Sequence, residues 1–298
     1  MRPVFNGLMK IRRSLGQLGA QEDLNFLLTN RIPRLWVTRC MGRISKIENP
    51  LLVRFALAIW RTFSDLNLEE AAPGDYRSIH DIFTRKLREG ARTVNMDPSV
   101  VASPCDAIVG ALGTIEKGQL LQAKGMPYAL SDLLLDPALC EQLQGGTYLT
   151  LRLTSVMYHR FHAPHDLTVE EVIYHSGDTW NVNPIAVKRI ERLFCLNERA
   201  VLRCRLAATG QTFALVPVAA VMVASIKLHF LNVLLNMGYR GPHRLSCSAQ
   251  ARKGEEMGWF EHGSTIIVLT PPGFGFAEGI QSGATIRMGQ ALMTLPSA

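Results

Sequence analysis

Residues 213–226 read FALVPVAAVMVASI, the longest apolar run in the chain, and the run stops at Lys227. A bilayer span needs about 20 residues, so a run this short reads as a buried strand and not as a transmembrane helix. Other short β-prone runs stand around it, at 107–112, 147–153, 168–175, 201–207 and 264–269. Gly145-Gly146, Gly177-Asp178, Gly210 and Pro271-Pro272-Gly273 punctuate them with turn chemistry, while 132–135 and 185–193 have helical character. From Val100 onward the pattern is that of a β-rich α+β domain.

Towards the N-terminus the periodicity changes. Val4, Leu8, Ile11, Leu15 and Leu18 recur at helical spacing, with Arg2, Lys10, Arg12 and Arg13 mostly off that stripe, which reads as a basic amphipathic helix. Leu35, Trp36, Val37, Cys40, Met41 and Ile44 form a further stripe, and 51–63 is an apolar helix candidate that carries Arg54. The stretch AAPGD at 71–75 breaks the pattern. Residues 78–89, SIHDIFTRKLRE, then read as another helix with Ile79, Ile82, Phe83 and Leu87 on one face. The boundary falls near residue 72, dividing a helical segment (1–72) from a β-rich domain (73–298).

Charge follows the same division. The chain of 298 residues has a formal net charge of +7, yet residues 1–61 hold 11 Lys/Arg against 3 Asp/Glu and the remainder 21 against 22. Such an asymmetry points to a polyanionic partner, and the apolar content of the same segment favours an anionic membrane surface over nucleic acid. Helices packed on the core, an interfacial membrane anchor and, for the first 20 residues, an organelle transit peptide all fit this composition. With 47% apolar and 19% charged residues the chain can bury a core. Six cysteines without a C-x-x-C pair suggest neither a disulfide framework nor a zinc knuckle, and they fit a reducing compartment.

Two glycine-rich near misses fall away on inspection. Gly113 to Gly118 is followed by Gln119 where a phosphate loop needs Lys-Ser/Thr, and the Gly273, Gly275, Gly279 spacing is one residue too long for a dinucleotide turn. The densest titratable cluster is Tyr158-His159-Arg160-Phe161-His162-Ala163-Pro164-His165. Imidazoles exchange protons near neutral pH, and the zinc alternative lacks both an H-E-x-x-H and a cysteine pair. Near the C-terminus stands Lys253 to Thr265, KGEEMGWFEHGST, ending in a Gly263-Ser264-Thr265 turn. Asp106, His162 and Ser264 would supply a hydrolase triad, but the chain has no G-x-S-x-G nucleophile elbow.

Taken in order, these segments resemble the phosphatidylserine decarboxylase family. The resemblance runs over roughly residues 31 to 295 and rests on Pro33-Arg34-Leu35-Trp36, Tyr76-Arg77, Phe83-Thr84-Arg85, Ser103-Pro104-Cys105-Asp106 and Gln122-Ala123-Lys124-Gly125. It continues through Tyr158 to His162, Asn197-Glu198-Arg199, Val223-Ala224-Ser225-Ile226 and Lys253 to Thr265. The Y-H-R-x-H and G-S-T segments together are its most specific part. His262 stands where bacterial relatives usually carry leucine, and Ala107 where glycine is usual.

The resemblance implies a membrane-associated enzyme that cuts its own Gly263-Ser264 bond. Asp106 would orient His162, and His162 would deprotonate Ser264 for an N-to-O acyl shift onto Gly263. β-Elimination and hydrolysis would then leave Ser264 as a pyruvoyl group, a covalent cofactor capping residues 264–298. His159 would handle the substrate carboxylate and the reprotonation. The implied partners are phosphatidylserine in an anionic membrane and the chain's own two cleavage products, with further dimerisation open; no metal and no nucleic acid are implied. The implied location is peripheral, on the cytoplasmic face of a bacterial inner membrane. Two alternatives remain: a pyruvoyl decarboxylase of a soluble amino acid, and an uncleaved lipid-binding homologue.

Overall fold

Local chemistry starts the helices of the N-terminal segment. Asn49 accepts hydrogen bonds from the N–H groups of Leu51 and Leu52, and Pro50 sits in the first turn, where its missing N–H is not needed. The computed structural model describes residues 22–64, 66–123, 125–222, 225–261 and 264–296. The expected helix in the first 20 residues lies outside them. Within them come α1 (Glu22–Asn30), α2 (Arg34–Ile44), α3 (Pro50–Phe63) and α4 (Ile79–Phe83).

The helix expected over 78–89 is shorter than its periodicity suggested. A capping box between Ser78 and Asp81 starts it. The Thr84 hydroxyl then bonds back to the His80 carbonyl, and the Thr84 carbonyl is taken by the Arg160 guanidinium. Leu87 leaves to bridge with Ala71. Tertiary partners claim the backbone that a longer helix would need.

The strands are β1 (Val100–Ala102), β2 (Ala107–Thr114), β3 (Gln119–Ala123), β4 (Met126–Ala129), β5 (Thr147–Leu153), β6 (Arg160–His162), β7 (Leu167–His175), β8 (Arg199–Leu206) and β9 (Thr212–Ala219). After them come β10 (Ser225–Leu228), β11 (Val233–Asn236), β12 (Arg244–Ala251), β13 (Glu256–Phe260), β14 (Ser264–Thr270), β15 (Gly275–Phe276), β16 (Thr285–Ile286) and β17 (Ala291–Thr294). Short helices α5 (Leu130–Leu134), α6 (Pro137–Leu143), α7 (Pro184–Arg189) and α8 (Leu193–Leu196) lie between them. The α+β class with a β-rich domain is as expected.

An eight-stranded sheet runs β12-β7-β8-β9-β14-β5-β2-β16, and a four-stranded sheet runs β11-β10-β13-β6. The apolar run 213–226 is not one strand. It divides into β9 and β10, which belong to different sheets, and between them Met222 takes a positive φ of 78° while its N–H donates to the Thr38 hydroxyl of α2. Alternation along β14 fills two cores. Ile266 and Val268 join Phe161 and Phe260 between the sheets, whereas Ile267 and Leu269 join Leu133, Leu143 and Leu193 beneath the short helices.

The N-terminal helices are fastened to this frame at named points. Arg34 pairs with Asp178 at 2.7 Å and stacks over the Trp180 ring at 3.4 Å, and Val53 and Ile82 share a small apolar cluster with Trp60 and Val156.

The strand that carries the histidines depends on a close approach at Gly258 of β13. A Cβ there would lie 2.0 Å from the Lys227 carbonyl oxygen and 2.8 Å from the Phe161 ring. Gly258→Ala is expected to lower stability by about 3 kcal/mol, at the upper end of ordinary overpacking costs. Thermal melting of the two proteins checks this; an unchanged melting temperature contradicts it.

Candidate active site

Ser264 is the first residue of β14, and its register sets it between Leu153 of β5 and Ala219 of β9. Alternation turns it to the same face as Ile266 and Val268, the face packed against the four-stranded sheet. It is 0% exposed, and its hydroxyl has no hydrogen-bond partner among the described residues. A buried polar group left unpaired costs about 1–3 kcal/mol, so an orphan at the start of a central strand calls for an explanation in function. Gly263 and His262 lie outside the described residues.

Both histidines of the Y-H-R-x-H motif flank the short strand β6. His159 is 0% exposed, its carbonyl accepts from the Phe260 N–H at 2.9 Å, and its ring meets the edge of Phe83 at 5.6 Å between centroids. Phe83 in turn packs on Trp60 of α3 at 4.3 Å. His162, at the other end of β6, is buried and has both ring nitrogens engaged. Its Nδ1 lies 3.0 Å from the Gly254 carbonyl oxygen, which can only accept, so the neutral ring carries its proton there. Nε2 is then the basic nitrogen and accepts from the Tyr158 hydroxyl at 2.9 Å. Burial pushes the His162 pKa below the usual imidazole range, which keeps this base neutral.

Asp106 lies just before β2. Its carboxylate takes two N–H groups of Arg92 and the Met288 backbone N–H at 2.9 Å. No hydrogen bond joins it to His162. Arg92 and Tyr158 line both of the small cavities in this region: one of about 230 Å³ that includes Asp106, and one of about 250 Å³ that includes His162. The resemblance named Asp106 and His162 but not the arginine that holds the first or the hydroxyl that meets the second. Tyr158 was visible in the motif; nothing in the sequence marked Arg92.

Arg160, between the two histidines, supports the strand. Its guanidinium bonds to Glu256 and the Thr84 carbonyl and lies over the Trp259 ring at 4.8 Å, fixing β6 against α4 and β13. Glu261, the last described residue before Ser264, is also buried. It accepts from the Ser225 hydroxyl at 2.6 Å and pairs with Lys46 at 3.1 Å, with His80 at 3.7 Å.

Beside these groups opens a cavity of about 880 Å³ with mainly apolar walls. Phe55, Ile59, Trp60 and Phe83 line it from the helices, and Leu153 and Val221 from the sheet. Ser264 and His159 are not among the lining residues, but each has a neighbour that is: Leu153 is the register partner of Ser264, and Phe83 meets the His159 ring.

Comparison with known proteins identifies the family. A family model described as phosphatidylserine decarboxylase matches residues 79–294, from the first residue of α4 to the last of β17. A phosphatidylserine decarboxylase proenzyme of Brevibacillus brevis is 33% identical over 275 residues, covering 90% of this chain and 96% of the relative. Its counterpart in Aliivibrio fischeri is 34% identical over 281 residues (90% and 96%), and that of Myxococcus xanthus 33% over 277 residues (91% and 98%). Because the match takes in Asp106, both histidines and Ser264 in one continuous stretch, this chain belongs to the phosphatidylserine decarboxylase family.

Proposed function

We propose that this chain is a self-cleaving zymogen that decarboxylates phosphatidylserine to phosphatidylethanolamine at a membrane surface, with Ser264 as the source of a pyruvoyl group. The observation that carries the proposal is the Ser264 hydroxyl, buried and unpartnered among the described residues, on a strand position paired with Leu153 of the cavity wall. That setting fits a nucleophile kept free of competing hydrogen bonds; Oγ later leaves with the Gly263 carboxylate, and the ketone oxygen of the new group replaces the Ser264 nitrogen. A pyruvoyl group supplies an electron sink for the pair left behind when carbon dioxide departs.

In self-cleavage, His162 takes the Ser264 Oγ proton at Nε2, which must exchange the Tyr158 hydroxyl for Ser264. Oγ attacks the Gly263 carbonyl carbon, the Gly263–Ser264 amide bond breaks, and an ester and a free amine result. Loss of the Ser264 α-proton then expels the Gly263 carboxylate, and water releases ammonia. Asp106 assists through charge and not through a hydrogen bond. Held by Arg92, its carboxylate favours the imidazolium that His162 becomes. In decarboxylation, His159 faces the substrate carboxylate and returns a proton to the carbon.

Membrane docking falls to the outer faces of α2 and α3. Leu51 is 74% exposed, Trp36 66% and Phe55 64%, with Arg39, Arg43 and Arg54 on the same helices. Each Lys or Arg near an anionic surface adds about 1 kcal/mol, and apolar insertion adds more. No helix among the described residues is long and apolar enough to cross a membrane, so attachment through these helices would be peripheral. The bacterial relatives and the unpatterned cysteines support the cytoplasmic face of an inner membrane.

Intact-mass measurement of the wild type should yield residues 1–263 and a pyruvoyl-capped 264–298, with Ser264→Ala remaining whole; an uncut wild type overturns the mechanism. Leu51→Glu/Trp36→Glu should weaken co-sedimentation with anionic vesicles at least about tenfold, since each side chain is worth at least about 1.5 kcal/mol on burial. Cleavage should remain complete in that variant, and unchanged sedimentation counts against the docking face. The lowered pKa of His162 means that its base form persists as pH falls and is lost only below the ordinary value. Self-cleavage of chains made in a cell-free system and shifted to buffers of set pH should stay level down to about pH 6.5 and decline below it. A decline that begins above that value excludes His162 as the base.

A further inference from the structure

The interior arginines of this protein are saturated with partners, with one exception. Arg85 donates to the carbonyls of Ile82, Val156 and Met157; Arg92 pairs with Asp106 and Glu70; Arg160 bonds to Glu256 and Thr84; Arg199 donates to Leu133, Cys195 and Asp132 carbonyls. Arg152 of β5 has no hydrogen bond, ion pair or aromatic partner among the described residues. It is partly buried and lines the 880 Å³ cavity, where it is the sole charged residue among the described residues. Burial lowers its pKa, with no carboxylate to offset the effect.

We propose that Arg152 is the specificity residue that receives the phosphodiester of a glycerophospholipid headgroup in this cavity. The inference rests on the lipid-decarboxylase reading above and names what recognises the part of the lipid that does not react. A guanidinium held half out of water among apolar walls lacks a counter-charge, and its planar fork matches the oxygens of a phosphodiester.

Position supports this assignment over the substrate carboxylate. Arg152 pairs in register with Thr265, one residue beyond Ser264 and on the opposite face of the sheet. Arg152 and its neighbour Leu153, the register partner of Ser264, both line the cavity. An anion on Arg152 is therefore set away from Ser264 and His159, where the carboxylate must lie to react. The phosphodiester, separated from the reacting carbon by one methylene and an oxygen, is the anion that can reach Arg152 while the acyl chains take the helix-lined part.

The test uses full-length Ser264→Ala, which stays uncleaved, and calorimetric titration with dihexanoylphosphatidylethanolamine, a soluble lipid with the phosphodiester and without the carboxylate. Adding Arg152→Ala should raise its Kd about tenfold or more, the loss of one charge-assisted contact, and Arg152→Lys should recover part of it. Dihexanoylglycerol, which has no phosphate, should bind both proteins alike. In the matured enzyme, Arg152→Ala should raise KM for phosphatidylserine with kcat little changed, and self-cleavage should be complete by mass. An unchanged Kd for the phospholipid, or an equal loss for dihexanoylglycerol, overturns the proposal. Inorganic phosphate binding as tightly as the phospholipid also overturns it, because the site would then serve a free anion. If the wild type neither cleaves nor decarboxylates yet the Arg152 effect on binding appears, the function assigned above fails while this assignment stands.

Discussion

β14 is hydrogen-bonded along both edges while its first residue carries a buried hydroxyl that bonds to nothing among the described residues. The two facts belong together. A strand clamped from Ser264 to Thr270 by β5, and from Ser264 to Leu269 by β9, cannot shift to give that hydroxyl a partner, so its cost of about 1–3 kcal/mol is borne by the rest of the sheet. The same clamping has a consequence for a chain cut before Ser264. The C-terminal piece would retain β14 between β5 and β9, β16 on β2 and β17 on β1, pairings that all reach across the cut. Cleavage would remove one covalent bond and leave the two pieces interleaved.

The segment leading into β14 is tied to the helices by buried charge. Glu261 meets Lys46 just after α2, His80 of α4 and the Ser225 hydroxyl of β10. Burial lowers the His80 pKa, so Lys46 is the charge partner, and losing it would leave the buried carboxylate uncompensated. The position of the chain just before Ser264 is thereby coupled to the docking of α2 and α4, which wall the apolar cavity together with α3 through Met41, Ile79 and Phe83. Cavity and site are built by the same contacts.

Much of the β domain was legible in the sequence because its strands are short apolar runs set off by glycine and proline turns. The run 147–153 coincides with β5, and 264–269 falls one residue short of β14. Failures came where tertiary contacts override a local pattern. The run 213–226 is uniformly apolar, so periodicity could not show the break after Ala219, which depends on a left-handed Met222 bonded to Thr38 from a distant helix. The 78–89 stripe has helical spacing, yet Arg160 withdraws the Thr84 carbonyl from it. In the site, residue identities were readable and their pairings were not. Asp106 meets Arg92 and His162 meets Tyr158, and a linear motif carries no information on which side chain stands between two others.

Under the proposed decarboxylation, the burial of His159 and Ser264 makes chemical sense for loss of carbon dioxide. A carboxylate is charged and carbon dioxide is not, so a site that withholds water and offers few donors disfavours the reactant more than the product. His159 and Ser264 are each 0% exposed, and aromatic and aliphatic side chains flank them. Such a site cannot also supply strong attraction for the substrate at the reacting carbon, since any cation that held the carboxylate firmly would oppose its departure. Binding energy has to come from parts of the substrate that persist into the product. Under the proposed function, the apolar cavity offers that to acyl chains, and the Arg152 guanidinium, unpaired among the described residues, offers it to an anion that stays bound throughout.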